Sequence, residues 1–177
     1  LHPAPDDYAA AAPHRLPGRI VVAPASVWAT KTWPPDKWAQ LLQLLPPDAP
    51  LLLVGAPSDR ALCQQLAAHH PRATVLAGNL SLLQTAAVLD GARHLFANDS
   101  APLHLASCMN TPTTAVYCST VPEFGFGPLA ELSQVVQYDA PLPCRPCGLH
   151  GKRRCPQGHF TCAQGIAPGR VAGTLCV

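Results

Sequence analysis

The sequence predicts an α/β domain, a Rossmann-like doubly wound parallel sheet, and three observations predict it. Short apolar runs alternate along the chain with segments of helical period. The runs are continuously apolar, as strands buried on both faces are. Each run ends in a turn that carries a polar side chain, and in such folds the strand ends share one rim.

The elements follow in order. Residues 1–19 are rich in Pro and Ala without a sustained period and read as a linker or disordered lead-in. The domain proper is expected over 20–140, with a Cys-rich tail over 141–177. Ile20 to Ala23 is the first strand, stopped by Pro24. A loop with Ser26, Trp28, Lys31 and Trp33 leads to a helix from about Asp36 to Leu45, whose Trp38, Leu41, Leu42 and Leu45 make one stripe. Leu51 to Val54 is the second strand, and Ser58 or Asp59 caps the helix after it, which runs to about His69. Thr74 to Leu76 is the third strand. The helix Leu80 to Leu89 is capped by Ser81 or Asn79 and closed by Gly91. His94 to Ala97 is the fourth strand, Ala101 to Met109 a helix, Thr113 to Tyr117 the fifth strand and Val135 to Tyr138 a last short one.

At 177 residues the chain is one domain, or one domain with a tail. Apolar residues make up 48% and charged ones 12%, which excludes disorder. The formal net charge is +2 without a basic block, so nucleic acid is not an expected partner. No apolar run approaches the roughly 20 residues of a membrane span. No secretory leader is present, so a reducing cytoplasmic setting is expected, and a start at Leu1 reads as a piece of a longer protein.

The most informative junction is Asn98-Asp99-Ser100-Ala101-Pro102-Leu103-His104. A strand ends there and a helix begins, with Ser100 as N-cap and Pro102 in the first turn. A helix start at a strand's carboxyl end is a place to hold a phosphate, and a capped helix is the plainer reading of the same residues. Ser26 and Lys31, Ser58 and Asp59, Asn79, Asp99 and Ser100, and Ser119 and Thr120 end the successive strands. Turns are polar in any protein; five such turns on one rim favour a ligand. The GxGxxG fingerprint and the Walker motif are both missing, so a nucleoside diphosphate held by Lys31 and the helix start is the expected ligand class.

Several stretches in order resemble glycosyltransferase family 9, the heptosyltransferases of lipopolysaccharide core synthesis, over its C-terminal half. They are Ser26 to Pro34, with Lys31 close before Trp33-Pro34; Gly55 to Asp59; Ala77 to Leu82; Asn98 to Ala106, with Ala101 where Gly is usual; Cys118 to Thr120 with Gly125 to Pro128; and Cys144 to Cys162. The last resembles the heptosyltransferase II branch. The resemblance implies one half of a GT-B fold that holds a nucleotide-sugar donor, usually ADP-heptose, for inverting transfer to a lipopolysaccharide core acceptor at the inner membrane face. It implies substrate-binding roles for Ser26, Lys31 on the diphosphate, Asp59 on the ribose, Leu80 at the adenine, Asp99 on the sugar, Ser100 and Ala101 at the phosphates, and His104 in support. The catalytic base then belongs to an N-terminal domain, and no cofactor is required. The alternative is a non-catalytic nucleotide- or sugar-binding module with a zinc-stabilised tail.

Cys144, Cys147, Cys155 and Cys162, with His150 and His159 nearby, have the residue types of a structural zinc site, but a standard finger or ribbon has a second close pair. Reduced thiols are the favoured reading, and a disulfide on oxidation is the third. Cys63, Cys108 and Cys118 lie in apolar segments and read as small core residues, and Cys176 sits near the terminus.

Overall fold

Apolar residues at alternate positions of each strand divide between two faces of a sheet. Ile20 and Val22 join one core layer while Val21 and Ala23 join the other, and Leu51/Leu53 against Leu52/Val54 divide the same way. The computed structural model describes residues 2–175. It contains a six-stranded sheet of β1 (Ile20–Ala23), β2 (Leu51–Leu53), β3 (Ala73–Val75), β4 (His94–Asn98), β5 (Thr113–Tyr117) and β6 (Ser133–Gln137). The spatial order is β3-β2-β1-β4-β5-β6 and every pairing is parallel. The chain winds outward in one direction from β1 and then in the other from β4, so the sheet is doubly wound.

Helices cover both faces. α2 (Pro35–Leu44) and α3 (Arg60–Ala67) bring Trp38, Leu41, Leu42, Cys63 and Leu66 to one layer. α4 (Leu82–Leu89) and α5 (Ala101–Cys108) bring Ala87, Val88, Leu89, Leu103 and Ala106 to the other. Ser81 caps α4 in a complete capping box: its Oγ accepts from Gln84 N at 3.1 Å and its N–H donates to Gln84 Oε1 at 2.9 Å. Asn79 is not the cap. Gly91, at φ +68°, follows the end of α4 in the left-handed conformation that a β-carbon disfavours.

The expected lead-in over 1–19 is corrected for its described part, because Pro5–Ala11 forms a helix (α1) that runs into a 3₁₀ turn, Ala12–His14. Pro5 at the first helical position with Asp6 and Asp7 in the first turn suits a helix start, a signal outweighed in the sequence by the Ala-Pro composition. Ala11 is fully buried against the α4 layer. Arg15 then stacks over Tyr8, pairs with Asp90 and donates to Ala87 O, while Arg19 donates to Val88 O at 2.9 Å and to Asp90 O. Two guanidiniums therefore satisfy the carbonyls at the end of α4, where the helix dipole favours cations.

The tail adds α6 (Thr161–Gln164) and α7 (Pro168–Ala172), and Cys162, Ala163, Ile166 and Val171 are buried. Ala163, Ile166 and Val171 belong to the same core layer as α2. A polar chain also ties the tail to the sheet. His94 Nε2 meets Thr114 Oγ1 at 2.8 Å, which meets Thr174 Oγ1 at 2.5 Å. Cys108 is a correction to the core reading: it is exposed on α5, whereas Cys63 and Cys118 are buried. Cys176 lies outside the described residues. Among the described residues no helix is long and apolar enough to cross a membrane.

Candidate functional site

The winding direction changes between β1 and β4, and the crevice beyond their carboxyl ends is where such sheets bind ligands. Asn98, the last residue of β4, builds its floor. It is fully buried; its Nδ2 donates to Pro24 O at 2.6 Å and its Oδ1 accepts from Trp33 N at 3.0 Å. One amide thus fixes the end of β1 and the loop that carries Lys31. A polar residue closing an otherwise apolar strand was the only sequence sign of this role.

Beside it, Lys31 Nζ stands 2.6 Å from Asp99 Oδ2, with side chains 13% and 6% exposed. Thr120 Oγ1 donates to the same carboxylate oxygen at 2.8 Å, and Ser26 Oγ donates to Asp99 O at 3.2 Å. Charges so enclosed persist only when paired and hydrogen-bonded. Two candidates that the sequence assigned to different ligand groups are therefore partners of each other.

Ser100 occupies the N-cap position of α5, but its hydroxyl does not cap the helix. At φ −158° the backbone is extended, and Oγ donates to Asn98 O at 3.3 Å. Ala101, where the family pattern has Gly, is not among the residues at positive φ, so its methyl causes no backbone strain.

Ser26, Asp59, Leu80, Ser100 and Ala101 line a cavity of about 700 Å³ over the ends of β1 to β4. Val27, 94% exposed, and Leu82, 67% exposed, stand in its wall. Mostly apolar walls with a few converging polar groups suit a small-molecule ligand. Asp59 also organises its own turn: Oδ2 accepts from Ala56 N at 2.8 Å and Oδ1 from Ser58 Oγ at 3.2 Å. Gly55 permits that approach, since a β-carbon there would stand 2.8 Å from Oδ2. His104 is not brought into the cavity. It is exposed on α5, with its ring centroid 6.4 Å from that of Phe126.

The tail is fastened to this corner from two sides. Arg145 donates to Cys118 O and Thr120 O, each at 2.7 Å, and Cys147 N donates to Ser119 O at 2.9 Å. Thr30, next to Lys31, forms the second fastening: its N–H donates to Lys152 O at 3.1 Å, and its Oγ1 accepts from Lys152 N at 2.7 Å and from Ser119 Oγ at 3.0 Å. Sequence reading missed Thr30, since nothing local marks a threonine that bonds to a segment more than a hundred residues away.

The zinc reading of Cys144, Cys147, Cys155 and Cys162 finds no support. Among the described residues no group of three or more His, Cys, Asp or Glu side chains is placed to hold a metal. Cys162 is buried, which pushes its thiol up to about 11, and Cys147 Sγ donates to Cys144 O at 3.2 Å. Cys144 Sγ lies 3.8 Å from His159 Nε2. Hydrogen bonds and apolar burial hold the tail in place.

Comparison with known proteins follows the same lines. The sequence model of the family described as Glycosyltransferase family 9 (heptosyltransferase) matches residues 5–154. Lipopolysaccharide heptosyltransferase 1 of Pseudomonas aeruginosa is 34% identical over 130 residues, which are 72% of this chain and 36% of that protein. The structure of E. coli ADP-heptose lps heptosyltransferase II superposes with a TM-score of 0.77 at 21% identity, over 99% of this chain and 51% of the other. E. coli heptosyltransferase WaaC with ADP gives a TM-score of 0.62 at 28% identity, over 68% and 38%. The chain thus spans between about a third and a half of the length of these relatives.

Proposed function

This chain belongs to glycosyltransferase family 9, and we propose that it is the donor-binding half of an enzyme that transfers a heptose from ADP-heptose to a lipopolysaccharide core acceptor. The observation that carries the reading is the cavity over β1 to β4, whose lining residue Ser26 donates to Asp99 O and whose lining residue Ser100 follows Asp99, the partner of Lys31. The names of the relatives supply the donor and acceptor classes.

In this reading the adenine lies against Leu80 and Val27, and Asp59 accepts from the ribose hydroxyls. The diphosphate lies at Ser100 and Ala101, where the dipole of α5 favours negative charge. As the bond from the sugar C1 to the diphosphate breaks, charge grows on the leaving oxygen. Lys31 and the helix start stabilise that charge in a partly enclosed site. The ammonium of Lys31 is then shared between Asp99 and phosphate.

The acceptor hydroxyl needs a carboxylate free to take its proton. Asp99 is committed to Lys31 and Thr120. As the family resemblance implies, the base belongs to an N-terminal domain outside this sequence, and these residues alone bind donor without turning it over. No cofactor takes part, and the enzyme works at the cytoplasmic face of the inner membrane.

Calorimetric titration with ADP, UDP and GDP tests the reading. ADP is expected to bind at least about tenfold more tightly than the others, a difference near 1.4 kcal/mol, and Lys31→Ala to weaken it. Equal binding of all three, or of none, overturns it.

A further inference from the structure

The charges of this chain are unevenly placed. From residue 141 onward the sequence holds five of the 12 Lys and Arg residues and none of the ten Asp and Glu residues. Three of the five are consecutive, Lys152-Arg153-Arg154. All three are exposed, and among the described residues none of their side chains has an ion pair. Like charges in a row repel one another and lower stability, so a cluster that the fold leaves uncompensated is suited to an external anion.

This run sits on a fixed loop. Lys152 is clasped through its backbone by Thr30, with bonds of 2.7 and 3.1 Å that leave its side chain free of the clasp. Gly151, at φ +79°, lies so close to the Lys31 loop that a β-carbon would stand 3.2 Å from Lys31 Cγ, Thr30 Oγ1 and Trp28 Cβ. The loop that carries the three cations is thereby packed on the Lys31 loop through Gly151 and the Lys152 backbone, and the three line one hollow together with Cys155 to Gly158.

The sheet order gives the patch a direction. The ligand cavity reaches from α5 toward the turns after β2 and β3, which is the nucleoside side. The tail is fastened on the opposite side, to the end of β5 at Ser119 and Thr120. A donor with its nucleoside in the cavity points its transferable sugar toward that side, and the acceptor must approach there.

We propose that Lys152, Arg153 and Arg154 form a recognition surface for phosphate groups on the sugar chain that accepts the transferred residue. The inference rests on the donor-binding reading above. The planar guanidiniums of Arg153 and Arg154 match the paired oxygens of such anions, and Lys152 adds a point charge.

The test compares the parent chain with an Arg153→Gln/Arg154→Gln variant, which leaves the Thr30 clasp intact. The probe is a deacylated, phosphorylated lipopolysaccharide core oligosaccharide, titrated calorimetrically at low and high salt. Its enzymatically dephosphorylated form, anionic phosphatidylglycerol vesicles and ADP are titrated in parallel. The parent is expected to bind the phosphorylated oligosaccharide about tenfold more tightly than either the variant does or the parent binds the dephosphorylated form, with an affinity that falls at high salt. ADP binding should change by less than about twofold in the variant. Oligosaccharide binding that is absent, or equal in parent and variant, overturns the proposal. Variant-sensitive binding to the vesicles alone does so too, and makes the run a membrane-contact surface. Failure of ADP to bind the parent overturns the donor-binding reading while the oligosaccharide comparison still reports on the patch.

Discussion

Lys31 Nζ and Asp99 Oδ2 lie 2.6 Å apart, each side chain largely withdrawn from solvent. The pair joins the loop after β1 to the junction of β4 and α5. Removing one member strands the other's charge in a site with little water. Lys31→Ala is expected to lower unfolding stability by on the order of 2–4 kcal/mol, measured by urea denaturation. Asp99→Asn in the Lys31→Ala background should recover part of the loss, because no carboxylate remains unpaired. Strict additivity of the two substitutions would show that the pair is uncoupled.

Asn98→Ala removes the amide that donates to Pro24 O and accepts from Trp33 N, leaving two buried backbone groups unpaired. A loss of about 2–6 kcal/mol is expected, from about 1–3 for each unsatisfied group. ADP affinity should fall with it, because the Lys31 loop loses its anchor. Calorimetry at a temperature where the variant is still folded separates the two effects. Unchanged ADP affinity there would show that the anchor is structural only.

Gly151→Ala tests the fastening of the tail. The alanine meets a positive φ and three atoms at 3.2 Å, so both strain and crowding act on the Lys31 loop. A loss of about 1–2 kcal/mol is expected on thermal unfolding, from left-handed strain with the contacts added. A fully stable variant would mean that the loop moves away at no cost.

His94 is buried, its Nδ1 has no hydrogen-bond partner among the described residues, and desolvation lowers its pKa from 6.5 to about 4. The folded state holds it neutral where the unfolded chain takes up a proton, so the unfolded state binds more protons between these values. Its contribution to stability is complete above pH 6.5 and is lost as pH falls toward about 4. The loss is on the order of 3 kcal/mol. Urea midpoints of the parent should drop through this window more than those of His94→Gln. Parallel curves would remove His94 as the cause.

Thiol alkylation at mildly alkaline pH should separate the cysteines. Cys108 is exposed and is expected to be modified in the native chain. Burial pushes the Cys63 thiol up to about 12 and the Cys118 thiol well above its ordinary range. Both should react only in denaturant, as read by peptide mass spectrometry. Rapid native labelling of Cys63 would contradict its place between α3 and the sheet.

Much of the fold was legible in the sequence, because continuous apolar strands and stripes of helical period are local consequences of burial on two faces. Ile20 to Ala23, Leu51 to Val54, His94 to Ala97 and Thr113 to Tyr117 were read that way, and the structure ends β2 at Leu53 and β4 at Asn98. Ser81 was one of two caps legible in the sequence, and the bonds with Gln84 three residues on decide for it over Asn79. α1 was less visible, since its Ala-rich residues carry little period and Ala11 is buried by a helix far along the chain.

The candidate site divides along the same line. The sequence by itself determined the strand-end position of Ser26, Asp59, Leu80, Asp99 and Ser100, because a parallel sheet puts all such turns on one rim. Only the tertiary structure decided that Lys31 pairs with Asp99, that Asn98 and Thr30 hold the Lys31 loop, that His104 stands outside the cavity, and that the Lys152 backbone is clasped by Thr30, next to Lys31. Each of these depends on bonds or contacts between segments far apart in the chain. Hydrophobic period reports which face of an element is buried, and it carries no information about which distant polar group meets which.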